Sequence, residues 1–133
     1  MSFFITVWDS GDRNWYDQDL GYLSVVQAHQ RAAAFIEEHY STASIIAAFP
    51  DVKYLTDASL GYVRQPLKYV QGPRRAFRQN KEGAPGTVIV ISQFFKEWTK
   101  GGRQLDAFLR HKSTKPLATF TAEGKEVVSI YSF

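Results

Sequence analysis

Hydrophobic and polar positions along the chain change period several times, and each change marks an element. Tyr22, Val26, His29, Ala33, Ile36 and Tyr40 recur at spacings of four and three, which places them on one face of a helix. Arg31, Gln30, Glu37 and Glu38 fall mainly on the other side. The apolar face is expected to be the buried one. This helix should begin near Asp17 or Asp19, whose carboxylates can cap the free amides of a first turn. It runs through QAHQRAAAFIEEHY into a short apolar strand, Ile45 to Phe49, which Pro50 stops because proline donates no backbone hydrogen bond.

The segment DVKYLTDASLG then reads as a loop, and YVRQPLKYV as a strand-like run in which Pro66 marks an edge or a bend. Thr87 to Ser92 (TVIVIS) is β-branched and apolar for nearly its whole length. Such a strand expects cover on both faces, as in a parallel sheet flanked by helices, so it should lie centrally beside Ile45 to Phe49. Before the helix, Phe3 to Trp8 is rich in β-formers and suggests a first strand. Toward the C-terminus, Phe94, Phe95, Trp98, Leu105, Phe108 and Leu109 surround a glycine pair, Gly101 and Gly102. The pair weakens a continuous helix, so a short turn and then a helix from about Arg103 to His111 are expected. Leu117 to Thr121 and Val127 to Phe133 form a hairpin across the glycine-containing turn Ala122 to Glu126.

The element order predicts a three-layer, Rossmann-like α/β fold over residues 1–133. Its sheet would be mostly parallel, with a C-terminal antiparallel hairpin. A chain of 133 residues with 44% hydrophobic content can bury a core as one domain, and no repeat or second domain is visible. With no cysteine, neither disulfides nor thiolate metal sites hold it together, and the redox compartment stays open. No apolar run approaches the roughly 20 residues that span a bilayer, so no membrane span is expected. Ser2 to Trp8 is too short for a secretion signal and lacks its basic flank.

In an α/β fold of this kind ligands bind beyond the carboxyl ends of the strands. Those ends carry Asp9, Asp12, Asp51, Asp57 and Ser92, the candidate ligand-facing residues. Two carboxylates brought together could bind a cation or divide acid and base roles. The favoured reading is plainer: aspartates after strands are commonly turn-formers and caps, and Thr56-Asp57-Ala58-Ser59 looks like a turn. His29, on the apolar helical stripe, reads first as a packed, hydrogen-bonded histidine. The rings of Trp8, Trp15, Tyr16 and Tyr22 could line a sugar- or lipid-facing surface, but core packing explains most of them.

No glycine-rich phosphate cradle follows a strand and no G-x-S-x-G elbow is present, so no nucleotide cofactor is expected. The histidines His29, His39 and His111 lack metal-ligand spacing, so no metal is expected either. The net charge of +3 is partly local. Lys68, Arg74, Arg75, Arg78 and Lys81 fall in a run without an acidic residue before Glu82, punctuated by Gly72-Pro73 and by Gly83, Pro85 and Gly86. A basic loop of this kind could meet phosphates on nucleic acid or lipid headgroups, though the punctuation favours a solvated, mobile connection.

The run YLSVVQAHQRAAAFIEEHY, the strand SIIAAFP and the segment ending in LGYVRQPLKYV resemble the soluble C-terminal region of bacterial phospholipid-carrier-dependent, protein mannosyltransferase-like membrane glycosyltransferases. IVISQFF and the closing ATFTAEGKEVVSIYSF are similar to the end of that region, so the resemblance covers nearly the whole chain. It implies an accessory domain on the extracytoplasmic face of a bacterial membrane. The partner would be the membrane-embedded glycosyltransferase portion or its glycan or lipid-linked substrate. The family's catalytic acids lie in a loop between transmembrane helices that this chain does not contain, so no catalytic residue carries over. Two alternatives stay open: a small stand-alone enzyme using acids at the strand ends, and a nucleic-acid or anionic-surface binding module using the basic loop. Nucleic acid is the less favoured partner.

Overall fold

The computed structural model describes residues 13–133, with side chains from residue 22 onward. Within these residues four helices and five strands follow one another as α1 (Arg13–His39), β1 (Ser44–Ala47), α2 (Asp51–Thr56), β2 (Val70–Gln71), α3 (Pro73–Arg78), β3 (Thr87–Ser92), α4 (Lys100–Lys112), β4 (Ala118–Ala122) and β5 (Lys125–Ser132). The strands form one mixed sheet in the order β2-β1-β3-β5-β4. β1 pairs in parallel with β2 and with β3, in a register that sets Ile45 against Val88 and Ile46 against Ile89. β5 runs antiparallel to both β3 and β4. The anticipated strand Phe3 to Trp8 lies outside the described residues.

Period-two alternation sorts the sheet's side chains into two cores. Ile45, Ala47, Val88, Val90, Val128 and Ile130 pack with Ala28, Ala32, Ala33 and Ile36 of α1 and Leu55 of α2. Ile46, Ala48, Ile89 and Ile91 pack with Ala76 of α3 and Leu105 and Leu109 of α4. All six residues of β3 are buried, as its uninterrupted apolar sequence anticipates.

Several expectations change in detail. α1 begins at Arg13, before Asp17 and Asp19, so those residues lie inside the helix rather than at its cap. Its stripe is buried at His29, Ala33 and Ile36, but Tyr22 is 62% exposed. The stretch after Pro50, read as a loop, forms α2 and a 3-10 turn (Ala58–Leu60). The amides of Lys53 and Tyr54 donate to the Pro50 carbonyl. Six residues are too few to show a helical period, but Asp51 and Leu55, four apart, both point inward. Of the run YVRQPLKYV only Val70 is in a strand, and Pro66 stands in the irregular approach to the edge strand β2. Glu37 of α1 pins that approach by accepting hydrogen bonds from the amides of Arg64 and Gln65.

The glycine pair does not interrupt α4; it forms its first turn. The Thr99 hydroxyl caps the helix by accepting from the Gly102 amide at 3.0 Å. A Cβ at Gly102 would stand 2.5 Å from the Lys96 carbonyl oxygen, so only glycine allows this turn to close on the preceding backbone. At Gly101 the same atom would meet the Pro73 ring at 3.3 Å, a contact that a small shift relieves. β4 and β5 join through Glu123 and Gly124, both with positive φ, as the twist of a two-residue hairpin requires.

Ile89→Ala or Ile91→Ala should each cost about 2 to 5 kcal/mol in urea unfolding, because both side chains are fully enclosed. Losses below about 1 kcal/mol at both sites would contradict the two-sided burial of β3. Gly102→Ala sets a helix-propensity gain of about 1 kcal/mol against a backbone overlap. The overlap should win, leaving the variant about 1 to 3 kcal/mol less stable, while Gly101→Ala stays near neutral. A stabilised Gly102→Ala would refute the close approach.

Candidate functional site

At the carboxyl ends of β1 and β3 three polar side chains meet inside the protein. α1 brings His29, the first turn of α2 brings Asp51, and the last residue of β3 is Ser92. Their exposures are 2%, 4% and 0%. His29 Nδ1 lies 3.0 Å from the carbonyl oxygen of Val25, one turn back. A carbonyl only accepts, so Nδ1 carries the proton and a neutral ring turns its lone pair at Nε2 inward. Nε2 stands 3.3 Å from Ser92 Oγ, which donates to it, and 3.7 Å from Asp51 Oδ1. Aromatic rings close the space: Tyr54 meets the imidazole edge-on at 5.3 Å, Phe95 lies at 6.2 Å, and Tyr62 stacks on Tyr54.

Burial decides the protonation of this cluster. It pushes the Asp51 carboxyl from 3.8 up to about 7, with the residue's own amide offsetting only part. It lowers His29, against a smaller raising effect of the Val25 hydrogen bond. It also raises the Tyr54 hydroxyl, with Tyr62 and Asp51 adding to the effect. Burial thus favours the uncharged form of both groups, the protonated carboxyl and the neutral imidazole. Asp51 Oδ2 has no hydrogen-bond partner among the described residues.

The three residue types are those of a nucleophilic triad, but the arrangement is different. In such a triad the carboxylate holds one ring nitrogen and the serine faces the other. Here Ser92 and Asp51 face the same nitrogen, and a backbone carbonyl holds the second. Asp51 cannot orient the ring for Ser92, and the hydroxyl is closed to solvent. The cluster can hold a proton on Asp51; it does not present an open nucleophile.

Of the residues expected at the strand ends, Asp51 and Ser92 come together. Asp57 does not join them: it is exposed beyond the far end of α2, and its Oδ1 accepts from the amide and hydroxyl of Ser59. Those bonds lower its pKa and make it the turn-former its sequence suggests. Asp9 and Asp12 lie outside the described residues, as does Trp8. His29 is packed and hydrogen-bonded as anticipated, yet its bond to Ser92 and its approach to Asp51 are ones that sequence spacing could not reveal. No group of three or more potential metal ligands occurs among the described residues.

The basic segment is helical over Pro73–Arg78 rather than a loop: Gly72 precedes a proline at the first helical position, where its missing amide costs nothing. This helix divides the charges. Arg75 and Lys81 line a concavity of about 630 Å³ with Lys68, Tyr69, Thr42 and Ser44, whereas Arg74 and Arg78 are exposed outside it. A second polar network, missed in the sequence, ties the turn after β3 to α4. Lys96 bridges Gln93 Oε1 and Asp106 Oδ1, and Arg110 holds Asp106 Oδ2. With both carboxylate oxygens occupied, Asp106 is a structural anchor.

No family model matches the chain, and neither does any curated protein or solved structure.

Asp51→Asn should separate the two titrations at the site. A carboxyl raised to about 7 in the fold contributes stability that is complete below pH 3.8 and is lost as pH rises through about 7. His29 works oppositely, because its lowered pKa contributes stability that is lost as pH falls below 6.5. The unfolding free energy of Asp51→Asn relative to the parent should therefore rise from about pH 4 to about pH 7, by up to about 4 kcal/mol. A flat difference across that window, in urea titrations at stepped pH, would mean that the carboxyl is solvated.

Proposed function

We propose that this chain is a non-catalytic accessory domain related to the soluble extracytoplasmic region of phospholipid-carrier-dependent membrane glycosyltransferases, with a three-layer Rossmann-like architecture. The observation that carries the reading is the enclosure of Ser92, His29 and Asp51. The residues best suited to acid, base or nucleophilic work are turned inward, where they pack and hydrogen-bond. An accessory domain works through its surface, and the aromatic side chains of Phe49, Phe94 and Trp98 stand exposed around the carboxyl end of the sheet. No helix among the described residues is long and apolar enough to cross a membrane, so a membrane-embedded portion would have to come from elsewhere. The domain would then sit on the extracytoplasmic face, against that portion or its glycan or lipid-linked substrate.

One observation favours the enzyme alternative: a carboxyl raised to about 7 beside an imidazole is a proton carrier poised near neutral pH.

Two measurements separate the readings. Assays of the purified chain with activated esters and with polyprenyl-phosphate sugars should give no turnover above background. The coding region around the gene should encode several hydrophobic spans, upstream in the same frame or in a neighbour. Turnover abolished by both Ser92→Ala and Asp51→Asn would overturn the accessory-domain reading in favour of catalysis.

A further inference from the structure

The concavity lined by Lys68, Arg75 and Lys81 stands at the opposite end of the sheet from the buried cluster. Its walls come from four separate stretches of chain: Thr42 and Ser44 at the start of β1, Lys68 and Tyr69 before β2, Arg75 on α3, and Lys81 beyond that helix. Three cations share a space of about 630 Å³, and no carboxylate among the described residues lines it. Among the described residues none of the three makes an ion pair, although Arg64, Lys96 and Arg110 all do. Glu82, next in sequence to Lys81, does not line it. Like charges held together without a counter-charge repel, and a multiply charged anion relieves that repulsion.

The neutral lining is also suited to an oxyanion. Thr42 and Ser44 bring hydroxyls that donate hydrogen bonds. Tyr69, 58% exposed, adds an aromatic face at the rim. A neighbouring concavity of about 500 Å³ shares Thr42, Lys68 and Tyr69, and there Glu37 is already engaged by Arg64. Three unpaired cations thus converge on one compact space. A single carboxylate would balance one cation of three; a phosphomonoester or diphosphate would balance two or three. A nucleic-acid strand needs a track of charge, and Arg74 and Arg78, which could extend one, stand outside.

We propose that this groove at the amino ends of β1 and β2 is a binding site for a phosphate-bearing ligand, a phosphomonoester or diphosphate. Lys68, Arg75 and Lys81 supply the charge, and Thr42 and Ser44 supply the hydrogen bonds. The site stands independently of any relation to glycosyltransferases. Its ligand is defined by the phosphate group, whether carried by a lipid or by a small soluble molecule.

The test compares two triple variants that lose the same net charge: Lys68→Ser, Arg75→Ser, Lys81→Ser within the groove, and Arg74→Ser, Arg78→Ser, Lys115→Ser outside it, Lys115 being exposed between α4 and β4. Pyrophosphate titrated by calorimetry should bind the parent, weaken at least about tenfold in the groove variant and change less than about twofold in the control. In the parent, pyrophosphate should shift the amide resonances of Thr42, Ser44, Lys68 and Lys81 and leave the β4–β5 turn unmoved, a readout that does not depend on any variant folding. Groove-dependent binding to phosphatidylcholine vesicles doped with phosphatidic acid, and not to pure phosphatidylcholine, would assign the phosphate to a lipid; pyrophosphate binding without vesicle binding would assign it to a soluble compound. No binding of either probe, or equal weakening in both variants, would overturn the proposal. So would groove-dependent binding of an oligonucleotide more tightly than pyrophosphate.

Discussion

Everything else in the fold depends on β3 being buried on both faces. A strand that exposes no face to water cannot rest on a single core, so its neighbours must place apolar cover above and below. The register with β1 meets that demand: Ile45 and Ala47 join Val88 and Val90 on one side, while Ile46 and Ala48 join Ile89 and Ile91 on the other. α1 must then lie over the first set, and α3 and α4 over the second. The tight turns follow from the same constraint. Gly101 and Gly102 let α4 start hard against Pro73 and the Lys96 carbonyl, close enough for Leu105 and Leu109 to reach the sheet.

The same burial creates the polar cluster. Ser92 ends β3 while still inside, and α1 passes over it with a histidine on its buried stripe. Asp51 is drawn in with Leu55, because the turn of helix that buries one buries the other. An unpartnered buried carboxylate oxygen costs roughly 1 to 3 kcal/mol, which a fully apolar site would avoid. Protonation lessens the cost, and this is why burial lifts the carboxyl toward neutrality. Asp51 and His29 stand 3.7 Å apart, beyond hydrogen-bonding range, so the hydrogen bonds that fix the imidazole are those to Val25 and Ser92.

What was legible in the sequence was what persists over several residues. Apolar and β-branched runs identified β1 and β3, a glycine-containing turn between two strand-like runs identified the closing hairpin, and spacings of four and three identified α1. Single-turn features were not legible: α2, α3 and the start of α4 are each decided by one proline, one cap or one close approach, none of which leaves a period. Within the site, Asp51 and Ser92 could be nominated because strand ends are local features. His29 could not be joined to them, being 63 positions from Ser92 in the chain and placed there only by the packing of α1. The basic segment shows the converse. Its charges are obvious in sequence, but which of them act together depends on a six-residue helix that separates Arg75 from Arg74 and Arg78.

The two ends of the parallel strands have therefore been used in opposite ways. In open α/β sheets the carboxyl ends usually face the ligand, because the loops there are free to diverge around a crevice. Here that position is occupied by the protein's own side chains, with His29 hydrogen-bonded to Ser92 and Asp51 enclosed beside them, beneath Tyr54 and Phe95. At the amino ends β2 is only two residues long and an edge strand, so the chain before it does not cover Ser44 and Thr42. The short edge leaves a hollow, and Lys68, Arg75 and Lys81 line it. Lengthening β2 toward its amino end would extend the sheet across that hollow. The irregular approach to β2, with Pro66 within it, thus accounts for both the missing strand and the open groove.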